Sequence, residues 1–321
     1  MSKGRFYAAH AAAFRADLVS AVPKGAVRDW HRREPRRHFA VAARQFVLLG
    51  IATWALVRFE HPAVWIPLAA VQGFTVFNFT VLLHEVVHHA VFTRRRPALE
   101  RLLGFAYAIP SGISASQFTR WHLDHHAELG SAADDPKRRH LSPAINARWL
   151  KLLYCTPALF PIYFRAARRE TATYGEALRR TIGRERLVSI ACHLLALGSL
   201  AWLFGWAAAA RAYLVPVFLV FPVAFTLNRL GQHYSIDPAD PAGWSTLMRG
   251  HWFWDRAFLN SNYHLEHHYF PGVPMYRLPE VQKALTPYYA RKGLPWRTYG
   301  QLVRGWFIEN RAPHTNWRSS Q

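Results

Sequence analysis

Two short histidine motifs with nearly the same sequence are the residues of this chain best suited to chemistry. The first covers residues 122–126 (HLDHH) and the second residues 264–268 (HLEHH). Histidines at positions i, i+3 and i+4 share one face of an α-helix, so each motif would point three imidazoles in the same direction. Imidazole nitrogen is a common ligand of Zn, Cu, Fe and Ni. A histidine-rich solvated face is the alternative, but chance rarely produces two copies, and we interpret both motifs as metal ligands.

A third motif covers residues 84–89 (HEVVHH). His84 and His88 are four residues apart and would share a helix face, whereas His89 is rotated away from it. The same stretch matches the His-Glu-x-x-His pattern of zinc peptidases, in which Glu85 would be the general base. A single zinc needs only three or four protein ligands, and the three motifs together supply more than that. The sequence therefore favours two metal ions, with a membrane zinc metallopeptidase as the distant alternative.

Four apolar runs must position these motifs, and they cover residues 40–57, 63–83, 187–210 and 212–228. Each is about as long as a membrane-spanning helix, which needs roughly 20 residues. Only Arg211 separates the last two runs, so we expect a tight helical hairpin or one bent segment there. Runs of this kind also occur in soluble cores, but four of them with arginine-rich flanks favour a membrane protein.

The connections between these runs predict how the chain crosses the membrane. The N-terminal segment, residues 84–186 and the chain from residue 229 onward are long and rich in arginine, whereas the other connections are short. Positively charged connections remain on the cytoplasmic side, so all three histidine motifs and both termini should lie there. The predicted fold is an all-α integral membrane protein with four transmembrane helices and a cytoplasmic helical cap that holds a histidine-rich dimetal site.

The charge and the cysteine count limit the classes of function. The 40 Lys and Arg residues against 19 Asp and Glu give a net charge of +21, which predicts contact with an anionic membrane surface. Nucleic acid is not expected as a partner, because the sequence contains no zinc-finger, RNA-recognition or helix-turn-helix pattern. Two cysteines cannot build a disulfide framework or a zinc ribbon. The excess of arginine over lysine is typical of a GC-rich bacterial genome, and we expect the bacterial inner membrane.

The order and spacing of the motifs resemble the membrane fatty acid desaturase family and its hydroxylase relatives. Residues 262–274 (NYHLEHHYFPGVP) are similar to the C-terminal signature of that family. Residues 121–126, followed by Asp134-Asp135-Pro136, are similar to its second histidine box. The resemblance covers about residues 40–285, which we interpret as the membrane domain. Residues 1–39 would then be a basic cytoplasmic extension and residues 286–321 a cytoplasmic tail.

The resemblance implies a non-haem centre of two iron ions that uses O2 as co-substrate. The family's ligands correspond to His84, His88, His122, His125, His126, His264, His267 and His268, and the extra histidine after its fourth span corresponds to His233. Nearby residues that could orient the ligands or bind water beside them are Glu85, His89, Asp124, Asn228, Arg229 and Glu266.

The resemblance also implies a reaction and its partners. A fatty acyl chain of a lipid would enter from the bilayer and receive a C=C bond. The alternatives are hydroxylation, or action on another lipid or a small non-lipid metabolite. No dinucleotide-binding glycine motif and no fused haem or iron–sulfur domain is recognisable. Electrons are therefore expected from a separate donor, either a ferredoxin or a b-type cytochrome with its reductase.

Overall fold

A computed structural model describes residues 6–143, 145–237 and 239–312, and these residues are mostly helical. No β-strand occurs within these ranges. In chain order the α-helices are α1 (Phe6–Ala21), α2 (Ala26–Trp30), α3 (Pro35–Arg58), α4 (Pro62–Val87), α5 (Pro97–Ala108), α6 (Ala115–Glu128), α7 (Pro136–Leu141), α8 (Arg148–Leu153), α9 (Leu159–Thr171), α10 (Glu176–Ala209), α11 (Phe221–His233), α12 (Trp252–Ala257), α13 (His264–Tyr269), α14 (Leu278–Arg291) and α15 (Tyr299–Val303). Two π-helical segments, Ala210–Val220 and Arg304–Ile308, and two short 3-10 turns, Pro241–Gly243 and Met275–Arg277, complete the described helices.

The described residues divide into two compact units. One unit contains Glu34–Thr119 and Tyr154–Thr226, and we call it the apolar unit. The other contains the chain up to Arg33, Arg120–Leu153 and the chain from Leu227 onward, and we call it the histidine unit. Both units are assembled from separated stretches of sequence. The boundaries predicted at residues 39 and 285 remain a prediction, because compactness does not test them.

The first two helices of the apolar unit are long, apolar and antiparallel. A proline in the first turn of α3 and of α4 suits a position where the backbone N–H has no intrahelical partner. Buried amides join the two helices, because the Asn78 side-chain amide donates to Gln45 Oε1 at 3.3 Å. Both helices are long and apolar enough to cross a membrane.

The third candidate for a membrane-crossing segment is the helical stretch Glu176–His233, 58 residues long. It is broken at Gly205, whose φ of 81° and ψ of 162° are not helical. Positive φ is accessible to glycine because it has no Cβ. The chain reverses there, since His193 of α10 is hydrogen-bonded to Tyr213 of the following π-helical segment.

This reversal differs in position from the sequence expectation, which divided the third and fourth runs at Arg211. The backbone around Arg211 is π-helical, and its guanidinium donates to the Leu56 carbonyl at 3.2 Å and to Glu60 at 3.1 Å. Glycine, and not the charged residue, makes the turn because only glycine takes that backbone conformation without strain. The four apolar runs of the sequence thus correspond to three helical stretches that are candidates for crossing a membrane. The third stretch reverses direction at Gly205.

The core of the histidine unit forms where α1 packs against the C-terminal part of the chain. Tyr7, Phe14 and Leu18 project from one face of α1 and contact a cluster that includes Trp244 and Tyr269. Residues of α14 complete this cluster from the other side, namely Leu278, Val281, Leu285, Tyr288 and Tyr289. The predicted basic extension therefore contributes a helix to the core that supports α13.

Candidate metal centre

The two HxxHH motifs both lie on helices of the histidine unit. Residues 122–126 belong to α6, and residues 264–268 form most of the six-residue helix α13. The structure also brings His233, the last residue of α11, beside them. Seven histidines from three separated stretches of the chain therefore converge inside one unit.

The more deeply buried group contains His125, His233, His264 and His268, each at most 3% exposed. Their candidate ligand atoms all lie within 4.8 Å of one another. The His233 Nε2 atom is 3.0 Å from His125 Nε2 and 3.1 Å from His264 Nε2, and His264 Nε2 is 3.0 Å from His268 Nε2. Two nitrogens bound at about 2.1 Å to one ion, at a right angle, lie about 3 Å apart, so these spacings suit a common metal ion.

The protons on two of these rings give a second test of whether a cation fits. His233 Nδ1 lies 3.0 Å from the backbone carbonyl oxygen of Trp244, which can only accept, so this nitrogen must donate. His125 Nδ1 lies 2.9 Å from Asp135 Oδ1, which also accepts the Lys137 backbone N–H. In neutral rings the two Nε2 atoms are then both lone-pair acceptors, and they face each other at 3.0 Å. A bound cation satisfies both lone pairs, and the residues present therefore fit a metal ion.

A second group in the same unit contains His122, His126 and His267. His126 Nε2 lies 2.9 Å from His122 Nε2 and 3.0 Å from His267 Nε2. The ring centroids of His126 and His268 are 4.4 Å apart, so this group is adjacent to the first. The arrangement is suited to two neighbouring ions, with α6 and α13 each contributing to both groups.

The histidines of the third motif lie in the apolar unit. His84 is in the last turn of α4 and His88 follows that helix, and their ring centroids are 4.7 Å apart. His89 departs from them, because its φ of 54° turns the chain and its Nδ1 lies 2.9 Å from Glu100 Oε2. Glu85 is buried at 3% exposure.

Burial controls the charge of three of the imidazoles in the histidine unit. It lowers the pKa of His125, His264 and His268 well below the usual value for histidine, and neighbouring imidazoles and the Lys137 ammonium lower it further. The neutral form of imidazole is the metal ligand, so these rings are ready to bind at neutral pH.

Two of the acidic residues expected to orient imidazoles form hydrogen bonds to other side chains. Glu266 Oε1 accepts from Gln282 Nε2 and from the Tyr289 hydroxyl, both at 2.9 Å. No imidazole of the described residues forms a hydrogen bond with it, because residue 266 lies about 100° or 200° around the helix from His264, His267 and His268. Asp124 accepts from Arg120 Nε at 2.9 Å on the outer side of α6.

Asn228 and Arg229 of α11 form hydrogen bonds to groups other than the histidines. Asn228 donates to the Ser261 hydroxyl at 2.7 Å and accepts from Gln232 at 2.8 Å. Arg229 donates to the Lys137 carbonyl at 3.1 Å. Arg229 therefore holds the segment that carries Asp135, which makes it a positioning residue for the loop after α6.

Sequence reasoning did not assign roles to two residues that hold the site in place. Asp135, the N-cap of α7, is visible in the sequence only as part of the Asp-Asp-Pro motif, although it is the carboxylate that contacts His125. Asp255 of α12 accepts from the Asn262 side chain at 2.8 Å and from the Tyr263 hydroxyl at 3.0 Å, immediately before α13. The Asp-Asp-Pro sequence, typical of a helix N-cap, was a signal for Asp135, whereas Asp255 has no comparable signal.

Comparisons with known proteins agree with this geometry. A family model described as fatty acid desaturase matches residues 60–300. A sphingolipid delta(4)-desaturase/C4-monooxygenase of Homo sapiens is 27% identical over 289 residues, which are 86% of this chain and 81% of the human protein. A sphingolipid delta(4)-desaturase of Drosophila melanogaster is 26% identical over 239 residues, 70% of this chain and 68% of the relative. A related protein of Oryza sativa subsp. japonica is 24% identical over 309 residues, covering 90% of this chain and 83% of the relative.

These matches confirm the resemblance seen in the histidine motifs. The family model spans most of the chain, and it includes all three motifs and His233. A zinc metallopeptidase does not fit this family, whose members act as oxidoreductases with O2. The chain belongs to the fatty acid desaturase family and is a membrane-associated, O2-dependent oxidoreductase of lipid metabolism.

Proposed function

We propose that this protein is a membrane-bound non-haem diiron oxidase that introduces a C=C bond into the chain of a sphingolipid. The observation that carries the proposal is the pair of adjacent imidazole groups, one of them with two facing lone pairs, in a chain of this family. The proposed ligands in the histidine unit are His122, His125, His126, His233, His264, His267 and His268. The resemblance adds His84 and His88 to this set.

The residues of the chain prepare the site for the metal ions. Burial keeps the imidazoles of His125, His264 and His268 neutral, so each of these three presents a lone pair at neutral pH. Asp135 and the Trp244 carbonyl hold the Nδ1 protons of His125 and His233, which directs the opposite nitrogens towards the ions. When bound, iron supplies the dioxygen chemistry that can break an unactivated C–H bond.

The lipid class of the substrate is inferred from the relatives. The human, fly and rice proteins carry sphingolipid desaturase names, and the matches cover 68% or more of each of them. Desaturation removes one hydrogen from each of two adjacent carbons, and one dioxygen with two electrons and two protons leaves as two waters. A separate ferredoxin or b-type cytochrome would supply the electrons.

The membrane arrangement is part of the same proposal. We place four spans in the bilayer, with Gly205 at the reversal between the third and fourth. The basic segments and the histidine motifs would face the cytoplasm, in agreement with the positive-inside rule. In a bacterial host this membrane would be the inner one, and anionic headgroups would contact the arginine-rich surface.

Lipid analysis of an expressing host tests the proposed reaction. The host should contain saturated sphingolipids, and its lipids are compared by mass spectrometry with and without oxygen. We expect a sphingolipid that has lost two hydrogens with the native chain in air. The product should be absent with His268→Ala and unchanged with His10→Ala, an exposed histidine on α1.

The same experiment separates the parts of the proposal. If only glycerolipid chains lose hydrogens, the oxidase function stands and the sphingolipid substrate is wrong. If no lipid changes and the purified protein holds one zinc per chain, the diiron function is wrong.

Hydroxylation is the second candidate reaction, and the name of the human relative specifically favours it. That name combines a desaturase with a C4-monooxygenase. Both reactions begin by breaking a C–H bond, and the placement of the next hydrogen decides between them. A sphingolipid that gains one oxygen in the same lipid analysis would identify the hydroxylase.

A further inference from the structure

The apolar unit contains a long groove between α3 and α10. Its volume is about 780 Å³. Its walls are almost entirely apolar, and they are formed by Phe46, Leu49, Gly50, Thr53, Trp54, Val57 and Arg58 from α3 together with Leu200 and Phe204 from α10. We call this feature the α3–α10 groove.

The groove is long enough to hold one hydrocarbon chain across one leaflet. Its α3 wall runs from Phe46 to Arg58, which at 1.5 Å per residue is about 18 Å. One leaflet contributes about 15 Å of the roughly 30 Å hydrocarbon core of a bilayer. Gly50 lies in the middle of the α3 wall and leaves open space there, because no neighbouring atom lies within 4 Å of a Cβ placed on it.

A single cation lines the groove, at the end where α3 terminates. Arg58 is exposed and forms no hydrogen bond or ion pair with any residue that the structure describes. The nearby Arg211 differs, since it is paired with Glu60 at 3.1 Å and is mostly buried. Trp54, 61% exposed, lies one turn before Arg58, and tryptophan is typical of the headgroup level of a membrane.

We infer that the α3–α10 groove binds an anionic phospholipid, with one acyl chain along Phe46–Trp54 and the phosphate at Arg58. This lipid is distinct from the proposed substrate, because its phosphate would lie at the opposite end of α4 from the third histidine motif. The Arg58 end of the groove lies beside the start of α4, and His84 lies 22 residues further along that helix, about 33 Å away. The other end of the groove is at Phe46, whose ring packs on Phe79 of α4 with centroids 4.8 Å apart. The lipid would instead join α3 to α10, two helices whose facing side chains leave this space between them.

Native mass spectrometry of the purified full chain tests the inference with phosphatidylglycerol and phosphatidylcholine as the two probes. We expect one tightly held phosphatidylglycerol on the native protein and weaker retention of phosphatidylcholine. Gly50→Phe should fill the groove and abolish the retained lipid. Gly198→Phe is the matched control, because Gly198 lies on α10, is equally open and does not line the groove.

A second variant tests the charge separately from the shape. Arg58→Gln should weaken phosphatidylglycerol binding about fivefold, equivalent to about 1 kcal/mol for one cation near an anionic headgroup, and leave phosphatidylcholine unchanged. Retention of phosphatidylglycerol by a folded Gly50→Phe protein at the native level would overturn the inference. Equal loss in Gly50→Phe and Gly198→Phe would also overturn it, because the effect would then not depend on the groove.

Discussion

The histidine site depends on where individual ring protons are held. Each imidazole has two nitrogens, and a ligand must present its unprotonated nitrogen to the metal. The Trp244 carbonyl and the Asp135 carboxylate accept hydrogen bonds from the Nδ1–H groups of His233 and His125, respectively. These two acceptors therefore decide that both Nε2 atoms face the centre of the group. A motif of histidines alone would leave this choice open.

Replacing Asp135 should weaken metal binding without removing a ligand. In Asp135→Ala, His125 loses the acceptor that fixes its ring, and partners of this kind typically change metal affinity or activity by about 10–100-fold. Metal retention of the purified protein during titration with a chelator measures the change. Asp134→Ala is the matched control, since its carboxylate is exposed one residue earlier. Equal metal retention in the two variants would contradict the proposed role of Asp135.

At the scale of elements, α13 needs its neighbours in order to exist. A helix of six residues is too short to be stable alone. The described contacts hold it from two sides. Asp255 binds the two residues before it, and Gln282 and Tyr289 of α14 bind the Glu266 carboxylate. The acidic residue within the histidine motif therefore serves to fasten the helix, with its side chain directed away from the ligands.

Tyr289→Phe should lower the free energy of unfolding by about 1.5–3 kcal/mol, because it removes one hydrogen bond to a buried carboxylate. The thermal midpoint of the detergent-purified protein gives the direction of the change. Tyr288→Phe is the matched control on the same helix, since the Tyr288 hydroxyl is buried without a hydrogen-bond partner among the described residues. A midpoint for Tyr289→Phe that equals the Tyr288→Phe value would show that Glu266 does not depend on this bond.

At the scale of the whole molecule, the apolar helices and the basic segments together predict an orientation in the membrane. Three helical stretches are long and apolar enough to cross it, and the third reverses at Gly205. An even number of crossings would return the chain to its starting side. The N-terminal segment and the histidine motifs would then share one aqueous compartment.

Cysteine labelling tests this orientation. In a Cys155→Ser, Cys192→Ser background, an impermeant maleimide should label Glu60→Cys in intact cells but label Glu176→Cys only after permeabilisation. Both glutamates are exposed and belong to the apolar unit. A difference in labelling between the two positions therefore reports the side of the membrane and not the burial of the residue. The opposite pattern would show an inverted orientation. Labelling of both sites from the same side would exclude the proposed path of the first two spans.

Much of the site was predictable because helix geometry is a local property. The spacing of His122, His125 and His126 predicts a shared face before any neighbour is known, and the four apolar runs predict helices of spanning length. The family follows from the same residues, and the family model confirms it. The position of the reversal was less predictable, since Gly205 lies inside an apolar run and Arg211 is the more visible interruption.

The sequence by itself determined the residue types, the helical periodicity and the excess of positive charge, because these are properties of neighbouring positions. The tertiary structure alone decided which of those residues meet. His125 and His233 are 108 residues apart in the chain, and their contact depends on how α6 and α11 pack in the histidine unit. The same packing brings the Trp244 carbonyl to His233 and turns Glu266 towards α14. Hydrogen bonds between distant residues depend on how whole helices pack against one another. The pattern of neighbouring residues in the sequence does not predict that packing.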